Sequence, residues 1–310
     1  MQRPTHEIVS LSERAFLLGA LAEGLRGDGR GVLDMRPVHI RLGPSSGAAE
    51  ATLGDTRALA RVSAELVEPF ADRPTEGSFA MSVELSPMAS GAFEPGRPSP
   101  EAIALSRVVE RAIVKSNAID LEALCVLPAK HVWAVRCDVT VVDHCGNLLD
   151  VCALAAAAAL RHFRRPYVRV LHSEQGEATS VEVCAADVEE PEHLALRHMP
   201  LALSFALIAE DGFSTPLALL DGSEREEAIA SGSLSVVLNQ QGELCALHKS
   251  GGVPVGAEQI RECVQAAQLK FRALAKALDE VLNEAKKSLA SSAPPSARTG
   301  EAATRQPPSR

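Results

Sequence analysis

Residues 132–163 read VWAVRCDVTVVDHCGNLLDVCALAAAAALRHF, two halves of opposite character joined by the turn HCGN. The first half, 132–142, is rich in β-branched residues and reads as a strand carrying Asp138. The second, 151–163, is dominated by Ala, the strongest helix former, and reads as a helix with Asp150 at its entry. So little side chain on a helix implies close packing against neighbouring backbone. A strand feeding directly into such a helix makes the chain α/β (α+β).

The pattern extends in both directions. Upstream, residues 11–25 place Phe16, Leu17, Leu21 and Leu25 at helical spacing, and the Gly-rich RGDGRG follows. Residues 38–66 change to short alternating runs (VHIRL, EATL, RALARVSAEL) with LGDTR as a hairpin connection, so antiparallel strands are expected. A Pro/Gly-rich stretch at 86–100 leads to a helical period over 101–115, then a short strand at 124–127. Downstream, a second cycle begins near Leu201: LALSFALIA, PLALLD, a short acidic helix at 223–230, strands LSVVLN and LCALH, and a long helix over 257–287. The expected architecture is one domain over 1–288 in two pseudo-repeated lobes of mixed or antiparallel sheet with packed helices. The lobes fall at about 26–190 and 191–288, with the helix 11–25 ahead of them. Residues 289–310 (LASSAPPSARTGEAATRQPPSR) have almost no large apolar side chain to offset ordering entropy and are expected to be disordered.

Composition narrows the function classes. The 310 residues carry 31 Lys+Arg against 40 Asp+Glu, a net charge of −9; three Arg and one Glu lie in residues 289–310, so 1–288 hold 28 against 39, a net of −11. A freestanding nucleic-acid binder usually carries a basic excess instead. The longest apolar run, VCALAAAAAL at 151–160, falls short of the about 20 residues a bilayer span needs, so no membrane role is expected. The start, MQRPTHEIVS, lacks a basic-then-apolar leader, and the seven Cys form no CxxC pair, which fits reduced thiols in the cytosol or nucleus. No HExxH, GxxxxGK[ST], GxGxxG or GxSxG occurs, so no metal and no cofactor is expected.

Two basic clusters interrupt the acidic chain. Arg161, Arg164, Arg165 and Arg169 lie in RHFRRPYVR, and Arg97 precedes Arg107 and Arg111, which are four apart on one helix face. Both clusters are open to two readings: ion pairs with the surplus carboxylates, or a grip on phosphate. The acidic run Asp138, Asp143, Asp150 is likewise open, to a Mg²⁺ or general-acid role or to solvated turn carboxylates.

The motifs, taken together, resemble a known family. ERAFLLGALAEGLRGDGRGVLDMRPVHIRLG is similar to the opening of RNase PH-type proteins, in which a helix leads into a DGR turn and an Arg-containing first strand. LGDTRALARVSAELVEP, RPTEGSFAMSVELSPMASGAFEPGR, SLSVVLN with SGG, and RHFRRP continue the likeness over roughly residues 11–278, and the FEPGR and HFRRP segments resemble one ring subunit of the eukaryotic exosome more than its paralogues.

The resemblance implies an RNase PH-like fold and a structural subunit of the exosome core ring, contributing to a channel that threads single-stranded RNA for 3′-to-5′ processing and decay. The implied partners are other RNase PH-like ring subunits, paired as heterodimers in a six-membered ring, S1/KH-type cap subunits and associated exoribonucleases. The implied locations are nucleus, nucleolus and cytoplasm. Active relatives carry DCDVxQADGG where this chain has RCDVTVVDHCG, which sets Asp138, Thr140 and Cys145 at degenerate catalytic positions; the phosphate-binding GTRTA becomes GNLLD. The resemblance therefore implies no catalytic residue and no enzyme activity of the chain itself. It leaves Arg107 and Arg111, with Arg97, as RNA-binding residues, and Arg161, Arg164 and Arg165 as an interface or structural cluster. The alternative is an active phosphate-dependent 3′-to-5′ exoribonuclease using Asp138 and Asp143.

Overall fold

The computed structural model describes residues 9–172, 178–185, 188–209 and 215–292. Helix α1 (Leu11–Ala22) precedes strands β1 (Val38–Leu42), β2 (Ala48–Leu53), β3 (Thr56–Val67) and β4 (Ser78–Leu85); helix α2 (Pro100–Lys115) leads to β5 (Cys125–Leu127), β6 (His131–Asp143) and helix α3 (Leu148–His162). Strands β7 (Arg164–Arg165), β8 (Val168–His172), β9 (Ala178–Val183) and β10 (Glu192–His193) make two short ribbons, β7 with β10 and β8 with β9. Then come β11 (Leu201–Ile208), β12 (Leu217–Leu220), helix α4 (Glu224–Ile229), β13 (Gly232–Leu238), β14 (Leu244–Gly251) and helix α5 (Ala257–Ser292).

The first sheet runs β1-β2-β3-β6-β4, with β5 also paired to β6; every pair is antiparallel except β4 with β6. The LGDTR connection is the expected hairpin: Leu53 pairs with Thr56 across Gly54 and Asp55, and Gly54 takes φ +58, which its missing Cβ permits. Alternation fixes which face is inside. On β6, Cys137, Val139 and Val141 are buried while Arg136, Asp138 and Thr140 point the other way. The second sheet, β12-β11-β13-β14, is antiparallel throughout. Strand β11 is buried at nearly every residue because both its faces are covered: Phe205 and Leu207 join the main core, and Ala206 and Ile208 meet Leu17 and Leu21 of α1.

Helix α3 explains why the two sheets do not separate into independent halves. Every residue from Leu148 to Leu160 is buried, and Ala155 to Ala159 are at most 1 % exposed. The helix packs on β2, β3 and β6 of one sheet and on β11 of the other. One apolar core thus runs from Ile40 and Val62 through Ala156 to Leu203 and Phe271. The run of small Ala side chains from Ala155 to Ala159 lets two sheets approach one helix this closely.

Several boundaries differ from expectation. Helix α1 stops at Ala22 rather than at residue 25, because Gly24 (φ +76) donates its N–H to Leu21 O and Leu25 donates to Ala20 O, a paired closure of the last turn that needs a residue tolerant of positive φ. The helix set ahead of the first lobe packs against the second sheet. Strand β4 had no counterpart in the sequence reading. Helix α5 continues to Ser292, past the expected end at 287 and into the segment 289–310 expected to be disordered; its apolar face carries Cys263, Ala267, Phe271, Leu274, Leu278 and Leu282 onto the core, and no Gly or Pro interrupts residues 257–292. Residues 293–310 lie outside the described residues. No described helix is long and apolar enough to cross a membrane.

Candidate functional site

The turn between β6 and α3 is held by the rest of the chain. A Cβ at Gly146 would stand 2.5 Å from Glu224 N and 2.6 Å from Gly222 O, so only Gly allows the backbone of the second unit to come this close. Thr56 Oγ1 accepts from Cys145 N–H at 3.2 Å and donates to Gly146 O at 2.7 Å. Arg36 donates to Cys145 O at 2.9 Å and Gly146 O at 3.2 Å. The next residue, Asn147, takes φ 56 and sends both amide protons into carboxylates, Asp150 Oδ2 and Asp221 Oδ1, each at 2.8 Å.

Asp221 is the centre of this arrangement. It is fully buried and accepts from Arg30 Nη1 at 2.9 Å, from Arg36 N, Nε and Nη2 at 2.8, 3.0 and 2.8 Å, and from Asn147. Burial alone would push its carboxyl up, but the bonds and charge of Arg36 more than offset that and hold it below the usual value. Arg26 spans the same junction with a bidentate pair to Glu226, Nε to Oε1 at 2.9 Å and Nη2 to Oε2 at 2.5 Å. The RGDGRG segment and the LDGSEREE segment, joined by pairs 191 and 200 residues apart in sequence, are thus one ionic joint.

Beside this joint, at the start of α3, opens a cleft of about 350 Å³ between α2, α3 and the β11–β13–β14 surface. Its polar lining is Glu101, Asn147 and Glu227, with His248 and the hydroxyls of Ser204, Ser231, Ser233, Ser235 and Ser250; no Lys or Arg lines it. Glu227 Oε1 accepts the backbone N–H of Asn147 at 2.9 Å, so a carboxyl of the chain itself occupies the amino end of α3. Burial pushes Glu227 up to about 8, with the charges of Glu101 and Asp150 adding to it, and burial also raises Glu101. Asp150, in the first turn of α3, accepts from Ser204 N–H at 2.9 Å and Ser204 Oγ at 2.7 Å; burial still lifts it to about 7.

The sequence-derived positions divide. Asp138 and Thr140 lie on the outer face of β6, where Asp138 pairs with Arg136 at 2.8 Å, and Cys145 lies in the turn with its thiol raised by burial; none of the three lines the cleft, nor does Asp143. The cleft's own acids, Glu101 and Glu227, were not singled out in sequence; the one local signal was the capping-box spacing of Ser223 and Glu226 beside Glu227. Arg97 is exposed in the loop before α2, and Arg107 and Arg111 are exposed one turn apart on α2, with no acidic partner among the described residues. The other cluster is fully paired: Arg161 with Asp279 of α5 at 2.5 Å, Arg164 with Glu190 at 3.2 Å, Arg165 with Glu192 at 2.9 Å and Arg169 with Glu189 at 3.0 Å. Arg165 also donates to Ala123 O at 2.9 Å.

Comparison with known proteins fits this fold. Residues 34–166 match the 3′ exoribonuclease family, domain 1, and residues 198–269 match domain 2 of the same family. A Danio rerio protein named exosome complex component RRP45 is 40% identical over 279 residues, covering 90% of this chain and 68% of that protein. The Schizosaccharomyces pombe protein of the same name is 38% identical, covering 84% of this chain and 87% of its own length. Among solved structures, the Archaeoglobus fulgidus exosome with RNA bound to the active site superposes with TM-score 0.72 at 30% identity, covering 85% of this chain and 96% of that one. The two matched segments, the two sheets sharing α3 and the RRP45 relatives converge: this chain belongs to the RNase PH family of 3′ exoribonuclease-type proteins, in the group of exosome components named RRP45.

Proposed function

We propose that this chain is a core ring subunit of the exosome that performs no phosphorolysis itself and helps pass single-stranded RNA through the ring. The observation that carries the inactive reading is Glu227 at the amino end of α3. Phosphorolysis needs inorganic phosphate held beside the RNA end, and a helix amino terminus is a natural place for an anion. Here that place is taken by a carboxyl, a second carboxyl borders it, and no Lys or Arg lines the cleft to hold phosphate. The thiols offer no substitute nucleophile, since burial raises Cys137 and Cys152 to about 12 and lifts Cys145 as well.

Incubating the purified chain with labelled poly(A) and inorganic phosphate is expected to release no nucleoside diphosphate. Release of nucleoside diphosphates would establish the competing reading, an active phosphate-dependent exoribonuclease. The RNA-guiding half of the proposal rests on Arg97, Arg107 and Arg111, exposed and without acidic partners among the described residues. The ring position brings with it RNase PH-like neighbours, cap subunits and separate exoribonucleases as partners, and a nuclear, nucleolar and cytoplasmic distribution. Arg161, Arg164 and Arg165 belong on this reading to structure, since each already meets a carboxylate.

A further inference from the structure

The short ribbon of β7 and β10 sets Arg165 opposite Glu192 and Arg164 opposite His193. Residues directly opposite in an antiparallel pair share a face, and successive residues alternate. One face therefore carries the ion pair Arg165–Glu192, while the other sets a guanidinium across from an imidazole, which gains nothing for strand pairing. Two more basic side chains lie within electrostatic reach of His193: His162, in the last turn of α3, and Lys286 of α5. Lys286 is two helical turns beyond Asp279, whose bond to Arg161 lays that side of α5 against the end of α3. Four basic groups from α3, β7, β10 and α5 thus gather on a chain whose net charge is −9.

Little answers them. Glu190 accepts from Arg164 Nη1 at 3.2 Å with 85 % of its side chain exposed, and Arg164 Nε and Nη2 donate to nothing among the described residues. Neither His193 nor Lys286 has an ion pair among the described residues. The carbonyl end of α3 accounts for Arg161 and His162 in its own last turn, but that attraction does not extend to side chains of β10 and α5.

We infer that this cluster binds a phosphate monoester, either free phosphate or a phosphorylated side chain of a partner protein, held by Arg164 and Lys286 with His193 giving a third bond. A guanidinium fork engages two oxygens, so the imidazole and the ammonium call for a further one. A carboxylate has two oxygens and one charge, whereas a phosphate monoester has three and close to two charges. The site lies at the other end of α3 from the Glu227 cleft, about 21 Å along the helix, so phosphate held here supplies no phosphorolysis there. The inference goes beyond the proposed ring role and does not depend on it.

Partial desolvation and then the charges of Arg164 and Lys286 hold His193 below its usual value; Glu190 acts the other way and His162 adds to the fall. A bound dianion offsets that repulsion and raises the imidazole's proton affinity. Binding should therefore take up a proton and weaken as pH rises from about 6.5 to about 8.5. Sulfate, a tetrahedral dianion that does not titrate in this range, reads the effect free of the ligand's own proton.

Calorimetric titration of the full chain tests this with separate arms of inorganic phosphate, sulfate, a phosphoserine tripeptide, the matching glutamate tripeptide, and single-stranded RNA without a terminal phosphate. Expected is saturable binding of phosphate and phosphopeptide, at least tenfold weaker in Arg164→Gln and in Lys286→Gln, both checked for native circular dichroism, and unchanged in Lys276→Gln earlier on α5. Lys286 is exposed near the end of its helix, so that variant tests the site even where Arg164→Gln disturbs the ribbon. Proton uptake on sulfate binding, read in two buffers of different ionisation enthalpy, is expected to vanish in His193→Gln. A phosphopeptide that binds more tightly than inorganic phosphate identifies a phosphorylated protein segment; phosphate at least as tight identifies the free ion. No saturable binding in either arm, binding unaltered in both Arg164→Gln and Lys286→Gln, or an equal loss in Lys276→Gln overturns the inference. So does a glutamate peptide that binds as tightly as the phosphopeptide, proton uptake that persists in His193→Gln, or RNA that binds more tightly than the phosphopeptide and is lost in the same variants.

Discussion

Two carboxyls twelve residues apart, Asp138 and Asp150, show what side-chain surroundings do to chemistry. Asp138, conspicuous in the sequence, ends on the outer face of β6 with Arg136 as its partner. Asp150 ends buried, on Ser204 and Asn147, with its carboxyl lifted to about 7. The sequence marks Asp150 as the entry to a helix, but its environment is supplied by Ser204, Asp221 and burial, none of which is local. The sign of its effect on stability follows from the shift. A carboxyl raised in the folded state binds its proton more tightly folded than unfolded, so its favourable contribution is complete below the unfolded value near 4 and is lost as pH rises through about 7. Asp150→Asn keeps the shape and can donate to Ser204 Oγ while accepting from the Ser204 N–H. It is expected to cost under about 1 kcal/mol at pH 5 and to be at least ~1 kcal/mol more stable than the parent at pH 8.5. Urea unfolding at the two pH values checks this; a parent whose stability advantage is the same at both would show that Asp150 does not titrate in this range.

At the scale of elements, periodicity and caps carried most of the information. Helix α2 begins and ends within one residue of the expected bounds because Ser99 caps it, accepting from Ala102 N–H at 3.1 Å, and Pro100 fits its first turn. Strand β4 carries a local signal that the expectation missed, Phe79, Met81, Val83 and Leu85 alternating with more exposed residues; only its parallel pairing with β6, more than fifty positions later, leaves no local trace. Helix α3 was legible as a helix and as closely packed, and the structure adds that both sheets press on it. Its Ala positions are therefore intolerant of volume. Ala156→Leu, at a position with no exposed surface, is expected to destabilise the chain by about 1–3 kcal/mol through overpacking, although Leu is nearly as good a helix former. Chemical denaturation measures it, with Ala266→Leu on the half-buried flank of α5 as the control that should change little. Equal effects at the two sites would mean that α3 has room the packing does not show.

At the scale of the whole molecule the repeat of strands and helices was readable, but its consequence was not. Arg26, Arg30 and Arg36 reach Glu226 and Asp221, and α1 packs on the second sheet, so the start of the chain is tied to its far half. These long-range pairs leave no local trace in a sequence. They also account for where the acidic excess goes: most arginines near carboxylates are paired, and the exposed ones without partners stand out. Arg107 and Arg111 face the same side of α2, four residues apart, a like-charge arrangement that costs an isolated helix a few tenths of a kcal/mol and so gains nothing for stability by itself. On the proposed reading their use is to bind a polyanion. In an assembled ring, Arg107→Glu with Arg111→Glu is expected to weaken RNA binding while leaving assembly intact, because neither side chain supports the core. Each lost phosphate contact with a single strand should also flatten the slope of log affinity against log salt by about 0.7. RNA affinity measured from 50 to 300 mM salt, together with the length of RNA protected from nuclease, decides it. Unchanged affinity, slope and protected length would place the RNA path elsewhere and leave the two arginines as ordinary surface charges.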